Sequence, residues 1–461
     1  MPLPEALLAA IVSEGGGRVA LVLGAGCSVE SPTDLPLGGQ CAEEAHRRLV
    51  ADGVLVAGEC ADPRDLSAVA DSVHSNRGSQ TELVARLPVL RFRNASPNEG
   101  HLIACALLRE GAVGSVLTLN FDHALSHGLA SVGAQDEVAV IKAPSQLTQL
   151  GTSNVVHLHG DADSEPDEWI LRTDQLETAW VDGWQELITT RVMTSPLVVF
   201  AGLGSPARVL VESVRRIRQA IDGHVAVHVD PAPHGTSPFA AAVSVPAEYH
   251  VHSGWCDFMR ALGARVASEH VNSVRNAMER VLGREGWPDP GSDEILQRLE
   301  ELGLLELGQL RAGWFLEHRP YMPARVVDPE AVAVLVHGIA LAESIAECDA
   351  IPHKSGNLEL RKENRLIGHL IPVSGRGTRS CATVEASLRT LGRLRMGHGF
   401  EPVVVLVTAT IGMGGIGVAP PGDLVSETAP DSIVAPRREP ALIDVDELRA
   451  NPGALTAALG A

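Results

Sequence analysis

Five apolar runs in the first half of the chain end in residues that could bind a nucleotide or move a proton. GAGCS (Gly24–Ser28) follows Val19–Leu23, TLNFD (Thr118–Asp122) ends the run from Val113, and HLHG (His157–Gly160) ends the run from Val155. GLGS (Gly202–Ser205) follows Leu197–Ala201, and the run from Val225 stops at Asp230. Glycines at a strand end let the backbone approach a diphosphate, whose charge free amides can bind; a tight β-turn is the other use of such a segment. An acid at the position of Asp230 suits ribose hydroxyls. The carboxamide of Asn120 can hold a water or a ribose hydroxyl without adding charge, and His159 can take up a proton near neutral pH. The alternative for His159 is a strand-end histidine bonded to backbone. Asp122, two residues beyond Asn120, reads as a residue that pins its turn through backbone amides. His157 alternates with His159, so it is expected to face the core.

These residues need a parallel sheet to gather them. Strand-like runs alternate with amphipathic stretches through the first 270 residues, the pattern of an α/β fold whose ligands sit beyond the carboxyl ends of the strands. Residues 40–110 read as mostly helical, a smaller lobe beside the sheet, with Asn98 or Ser96 available to cap a helix running to Leu108. The chain has 461 residues, 45% apolar and 20% charged, which is globular composition and long enough for two or three domains. Its net charge of −20 repels phosphate backbones and argues against nonspecific nucleic-acid binding by the whole surface. The seven cysteines are scattered with no C-x-x-C pair, so no zinc site is expected from them and reduced thiols in a cytoplasmic protein are. The N-terminal stretch has no basic region and its apolar run ends in glycines, so neither a signal peptide nor a membrane span is expected.

In their order and spacing, GAGCS, PNEGH (Pro97–His101), TLNFD, HLHG and GLGS together resemble the sirtuin-like family over about residues 15–260. The resemblance implies a Rossmann-like parallel sheet with a small helical lobe, with NAD as substrate. It places Gly24, Gly26, Ser28, Gly202 and Ser205 against the dinucleotide, with Asp122 from the same motif as Asn120; Ala25 within the glycine turn and Asp230, from its strand-end position, are assigned to the same cofactor site. Asn120 then lies by the nicotinamide ribose and His159 is the catalytic base. Cleaving the nicotinamide glycosidic bond develops oxocarbenium character, which suits an oriented nucleophile and a neutral base. Protein-deacylating sirtuins carry a four-cysteine zinc module and a D-F-R sequence; this chain has Asp34, Leu35 and Pro36 instead and cannot build the module. It looks like the zinc-free bacterial branch whose members hydrolyse NAD in antiphage defence. That implies an NAD glycohydrolase, with a non-catalytic NAD or ADP-ribose sensor and a deacylase as the other readings. It further implies a homo-oligomer and an activating trigger, such as an ATPase or an Argonaute-like protein.

The break GREGWPDPGS (residues 283–292) sets the expected division, with residues 1–270 catalytic, 271–291 a linker and 292–461 a regulatory or assembly domain. Ser292 is placed to cap the next helix. Helix, hairpin, helix and strand in the last third resemble restriction-endonuclease-like folds, with Glu343 as the helix acid. The strand that would carry E-x-K reads Ile371–Arg376 without acids, so a two-metal site is not expected. GMGGIG (residues 412–417) satisfies a dinucleotide pattern but runs into Pro420 and Pro421 where a helix should start. A basic stretch over 354–395 could meet nucleic acid or an acidic partner, or be a solvated face. His224, His228, His250 and His252 have same-face spacing but lack acid or cysteine partners, so no metal is assigned to them.

Overall fold

The computed structural model describes residues 2–13, 16–178, 183–204, 208–314, 329–353, 356–374, 401–408 and 440–460. It divides into two units, Met1–Val266 and Ala267–Ala461.

The first unit is built on seven strands: β1 (Val19–Leu23), β2 (Val113–Thr118), β3 (Ala139–Ile141), β4 (Asn154–His157), β5 (Leu197–Ala201), β6 (Val225–Asp230) and β7 (His250–His252). Every pairing is parallel, in the order β3-β4-β2-β1-β5-β6-β7. The central runs VALVL and LVVFA are buried at every position, as strands covered on both faces must be. This is the expected Rossmann-like sheet. The short edge strands β3 and β7, three residues each, are too brief to show in an apolar pattern.

The small lobe is helical as expected, with helices Gly38–Ala51, Leu66–Arg77, Thr81–Val84 and Val89–Arg93. Its core contains Leu49, Val69, Leu83 and Phe92, and Trp169 and Leu171 join it from the segment that follows β4. Asn98 caps the helix Glu99–Arg109: its Oδ1 accepts the His101 backbone N–H at 3.1 Å, and its Nδ2 donates to the Cys27 carbonyl at 2.9 Å. One side chain thus starts a helix and holds the glycine turn after β1.

Most of the stretch read as a linker is helix. The helix Trp255–Glu285 runs through residues 271–285, because Val271, Ala277, Met278 and Val281 continue a buried apolar stripe. The break is confined to the turn before Ser292, with Gly286 and Gly291 at positive φ. The helix beginning at Ser292 is held at its start by Asp289, whose Oδ1 accepts the N–H groups of Gly291 and Ser292, rather than by Ser292.

The second unit has a five-stranded mixed sheet of β8 (Asp349–Pro352), β9 (Leu358–Lys362), β10 (Arg365–Ser374), β11 (Val403–Thr408) and β12 (Ala441–Asp444). β8, β9 and β10 form an antiparallel meander, and β10, β11 and β12 are parallel. The hairpin and the strand from Val403 agree with the sequence pattern. The strand β12 lies at the end of the proline-rich tail from Ala419, whose composition reads as extended or loop-like up to Val445. Helix Pro329–Ala346 packs so closely that a Cβ on Gly338 would come within 2.8 Å of Val445 and 2.9 Å of Leu406. It is the one helix among the described residues long and apolar enough to span a membrane, and ten of its residues are buried within this fold.

Glu343 is not presented to a ligand: it accepts from Arg298 Nη2 at 2.6 Å and from the Ala350 backbone N–H. Within the basic stretch, Arg361 pairs with Glu359 at 2.7 Å and Lys362 with Glu347 at 2.8 Å. Apart from Arg365, the other basic residues of that stretch, Arg376 among them, and the GMGGIG segment lie outside the described residues.

Candidate functional site

Strand register brings the candidate residues into one row. Leu23 of β1 pairs with Thr118 of β2 and with Ala201 of β5, and Thr118 pairs with His157 of β4. Gly24 and Gly202 lie one residue past this row, and Asn120 and His159 two residues past it. Asp230 ends β6, the next strand along. The sheet order reverses at β1, which has β2 on one side and β5 on the other. That reversal opens a crevice at the carboxyl end of β1, where open α/β sheets take their ligands.

The glycines have a structural reason of their own. A Cβ on Gly24 would meet the Gly202 carbonyl at 2.5 Å, one on Gly26 the Gly202 Cα at 2.6 Å, and one on Gly202 the Cys27 nitrogen at 2.5 Å. Gly202 also has φ +68°. The turns after β1 and β5 are therefore packed backbone against backbone, joined by Gly26 N–H to the Gly202 carbonyl at 3.0 Å. Ala25 begins the short turn Ala25–Ser28 that this contact supports. Ser205 lies outside the described residues.

Below the turn, three polar side chains interlock. Ser28 Oγ donates to Asp122 Oδ2 at 2.8 Å, and Asp122 Oδ1 accepts the Ala124 N–H at 3.0 Å. Asp122 pins its turn, as its position predicted, and in addition holds Ser28. Asn120 Nδ2 donates to the Gly24 carbonyl at 3.1 Å and to Ser28 Oγ at 3.2 Å. The protein thus uses the nitrogen of the carboxamide, and Asn120 itself is 9% exposed.

His159 follows β4 and is fixed through its backbone, whose carbonyl accepts the Ile170 N–H at 3.0 Å. Its ring lies against Phe121, centroids 6.5 Å apart, and Phe121 stacks on Trp169 at 4.2 Å. Burial pushes the imidazole down to about 4, so it is neutral at pH 7 and can accept a proton. His157 is fully buried, as expected, but it is not passive packing: its Nδ1 lies 3.3 Å from the Asn120 carbonyl oxygen. Burial also pushes it down to about 4.

Asp230 Oδ1 accepts the Ala232 N–H at 2.7 Å, and its Oδ2 stands 3.9 Å from His228 Nε2. The four histidines of the β6 and β7 region find partners: His224 Nε2 meets the Met193 carbonyl at 2.9 Å, His228 Nδ1 meets His250 Nδ1 at 3.2 Å, and His252 Nε2 meets the Pro231 carbonyl at 2.7 Å.

Sequence reasoning missed a second charged group. His123, Asp161 and Asp163 bring ligand-type atoms within 4.8 Å of one another, the one such group among the described residues. Lys142 Nζ already sits against Asp161 Oδ2, so an ammonium occupies the place a metal cation would take. The available signal was Lys142 itself, one of three lysines in a chain of 34 arginines, standing directly after a strand. The six described cysteines are buried free thiols.

Residues 114–245 match the family model described as a SIR2-like domain, a span that includes Asn120, Asp122, His159, Gly202 and Asp230. No curated protein sequence matches the chain. Among solved structures, a Sir2 homologue in complex with NAD is 19% identical over 57% of this chain and 93% of its own, with a TM-score of 0.30. A Sir2 homologue in complex with 2′-O-acetyl-ADP-ribose is 17% identical over 57% and 95%, with a TM-score of 0.35.

Proposed function

We propose that the first unit, whose residues 114–245 match the SIR2-like domain model, is an NAD glycohydrolase, cleaving NAD with water to nicotinamide and ADP-ribose. The observation that carries this reading is the placement of Asn120 and His159 each two residues beyond the paired strands β2 and β4, with Asn120 hydrogen-bonded to the glycine turn of β1. NAD would lie across the crevice, with its diphosphate at Gly24–Ser28 and Gly202 and a ribose at Asp230. The Asn120 carboxamide oxygen, whose nitrogen is held by Gly24 and Ser28, would orient a water or the nicotinamide ribose. Neutral His159 would take the proton that the attacking water loses.

An imidazole at about 4 is a weak base. That favours a substrate that ionises before attack, since an oxocarbenium centre needs little help from its nucleophile. The same observation gives weight to a second reading, a sensor that binds NAD or ADP-ribose without turnover. A deacylase has less support: the chain departs from the deacylase motifs at Asp34–Pro36, and its cysteines are dispersed.

Unchecked hydrolysis would empty the cell's own NAD pool, so the reading includes control by a trigger. An antiviral defence effector, cytoplasmic, self-assembling, or activated by an ATPase or Argonaute-like partner, fits that need. The second unit is the candidate for receiving the trigger. The test is nicotinamide release from NAD by the full chain, with and without the product of a neighbouring gene. Release that is lost in both Asn120→Ala and His159→Ala supports hydrolysis. NAD binding without release under any trigger supports the sensor.

A further inference from the structure

Beside the proposed reacting centre, one buried carboxylate gathers three segments. Asp161 is 1% exposed and follows His159 by two residues across Gly160, whose φ is +86°. It accepts from His123 Nε2 at 3.1 Å, and from the N–H groups of Asp163 and Ser164 and the Ser164 hydroxyl, each at 3.1 Å. Its Oδ2 also pairs with Lys142 Nζ. Burial by itself would raise the Asp161 carboxyl, but hydrogen bonds from His123 and Lys142 outweigh it and hold the group well below the usual carboxylate range. The carboxylate is therefore ionised and can only accept, which fixes the His123 proton on Nε2.

The partners come from different strand ends. His123 belongs to the loop after β2 that carries Asn120, Lys142 is the first residue after β3, and Asp161 belongs to the loop after β4 that carries His159. A backbone bond runs alongside, with Ala162 N–H donating to the Phe121 carbonyl at 2.8 Å. His157, whose Nδ1 lies by the Asn120 carbonyl, feels both Asp161 and Lys142. Drawing the two loops apart would strand a buried charge, which is far more costly than breaking a contact in water.

We propose that Asp161, clamped by Lys142 and His123, is a positioning residue that fixes Asn120 relative to His159. The kinetic consequence rests on the hydrolase reading; the structural consequence does not. An error of about 1 Å between reacting groups costs up to about a hundredfold in rate, so the clamp sets kcat rather than affinity.

The experiment uses full-length Asp161→Asn, which keeps the acceptor for the loop N–H groups and removes the charge, and Lys142→Met. With both folded, kcat for nicotinamide release falls by at least about tenfold while KM for NAD moves by less than about threefold. The double variant is no slower than the worse single one, because the two residues act as a unit. In histidine-labelled protein, the imidazole NMR signals of His123 and His159 shift in Asp161→Asn, while that of His224, at the opposite end of the sheet, stays. A kcat within about twofold of wild type, or an unmoved His159 signal, overturns the proposal. If wild type releases no nicotinamide under any trigger, the hydrolase reading fails and the imidazole signals alone decide the clamp. If Asp161→Asn does not fold, Lys142→Met, on a partly exposed residue, carries both readouts.

Discussion

The side-chain amide of Asn120 donates to the carbonyl oxygen of Gly24 at 3.1 Å, tying the end of β2 to the first residue of the glycine turn after β1. Ser28 closes the triangle, accepting from the same amide and donating to Asp122. Ligand loop and catalytic candidate are thereby one hydrogen-bonded body.

Ser28→Ala removes the hydroxyl that serves both Asn120 and Asp122 and leaves a buried carboxylate short of a donor. We expect a loss of about 1–3 kcal/mol in unfolding free energy. Turnover should fall further than stability alone explains, because Asn120 loses one of its two anchors. Denaturant unfolding with activity measured in parallel checks this; unchanged values for both would show that the triangle is unimportant.

Gly202→Ala should destabilise by about 2–4 kcal/mol, since it combines a positive φ with a Cβ placed against the Cys27 nitrogen. Gly204→Ala, two residues on, has nothing within 4 Å and should be close to neutral. Equal stability of the two variants in a thermal unfolding comparison would contradict the packed-turn account.

His101, His157, His159 and His228 are each pushed down from 6.5 to about 4, in every case chiefly by burial. The unfolded chain therefore binds more protons than the folded one between these limits, so stability is full above pH 6.5 and falls as pH drops toward 4. The thermal midpoint should decline between pH 6.5 and 5, before most carboxylates titrate. A flat midpoint across that interval would show that these rings are not buried in their neutral form.

If Asp230 receives a ribose, its charge opposes a phosphate on that sugar. NAD should bind at least about tenfold more tightly than NADP, roughly 1.4 kcal/mol, and Asp230→Asn should narrow the gap. Calorimetry with both dinucleotides reads this directly, and equal affinities in the wild type would remove Asp230 from the ribose site.

Much of the site was legible because parallel strands convert sequence into geometry. A buried run ends where its polar residue begins, so Gly24, Asn120, His159, Gly202 and Asp230 could each be placed at or just beyond a strand end from the apolar runs; that register aligns these ends is seen only in the structure. What escaped were contacts made across loops. The packing of Gly24 and Gly26 on Gly202 looks in sequence like any ligand loop. The Asp161 clamp joins residues 123, 142 and 161, and no local period connects them. His157 was correctly read as buried, yet its contact with the Asn120 carbonyl depends on where a neighbouring loop returns. In the second unit the strands and the long apolar helix were legible, whereas β12 has only four residues and hid in a proline-rich stretch. Glycine and proline mark the break after residue 285 clearly, while nothing in the local pattern shows that the helix before it stays regular to Glu285.

The central claim is tested most directly by following nicotinamide release from NAD by the full chain in the presence of its trigger, alongside Asn120→Ala and His159→Ala. The account predicts stoichiometric nicotinamide and ADP-ribose from the wild type and loss of release in both variants, with the fold retained. Equal release by folded wild type and both variants would contradict it.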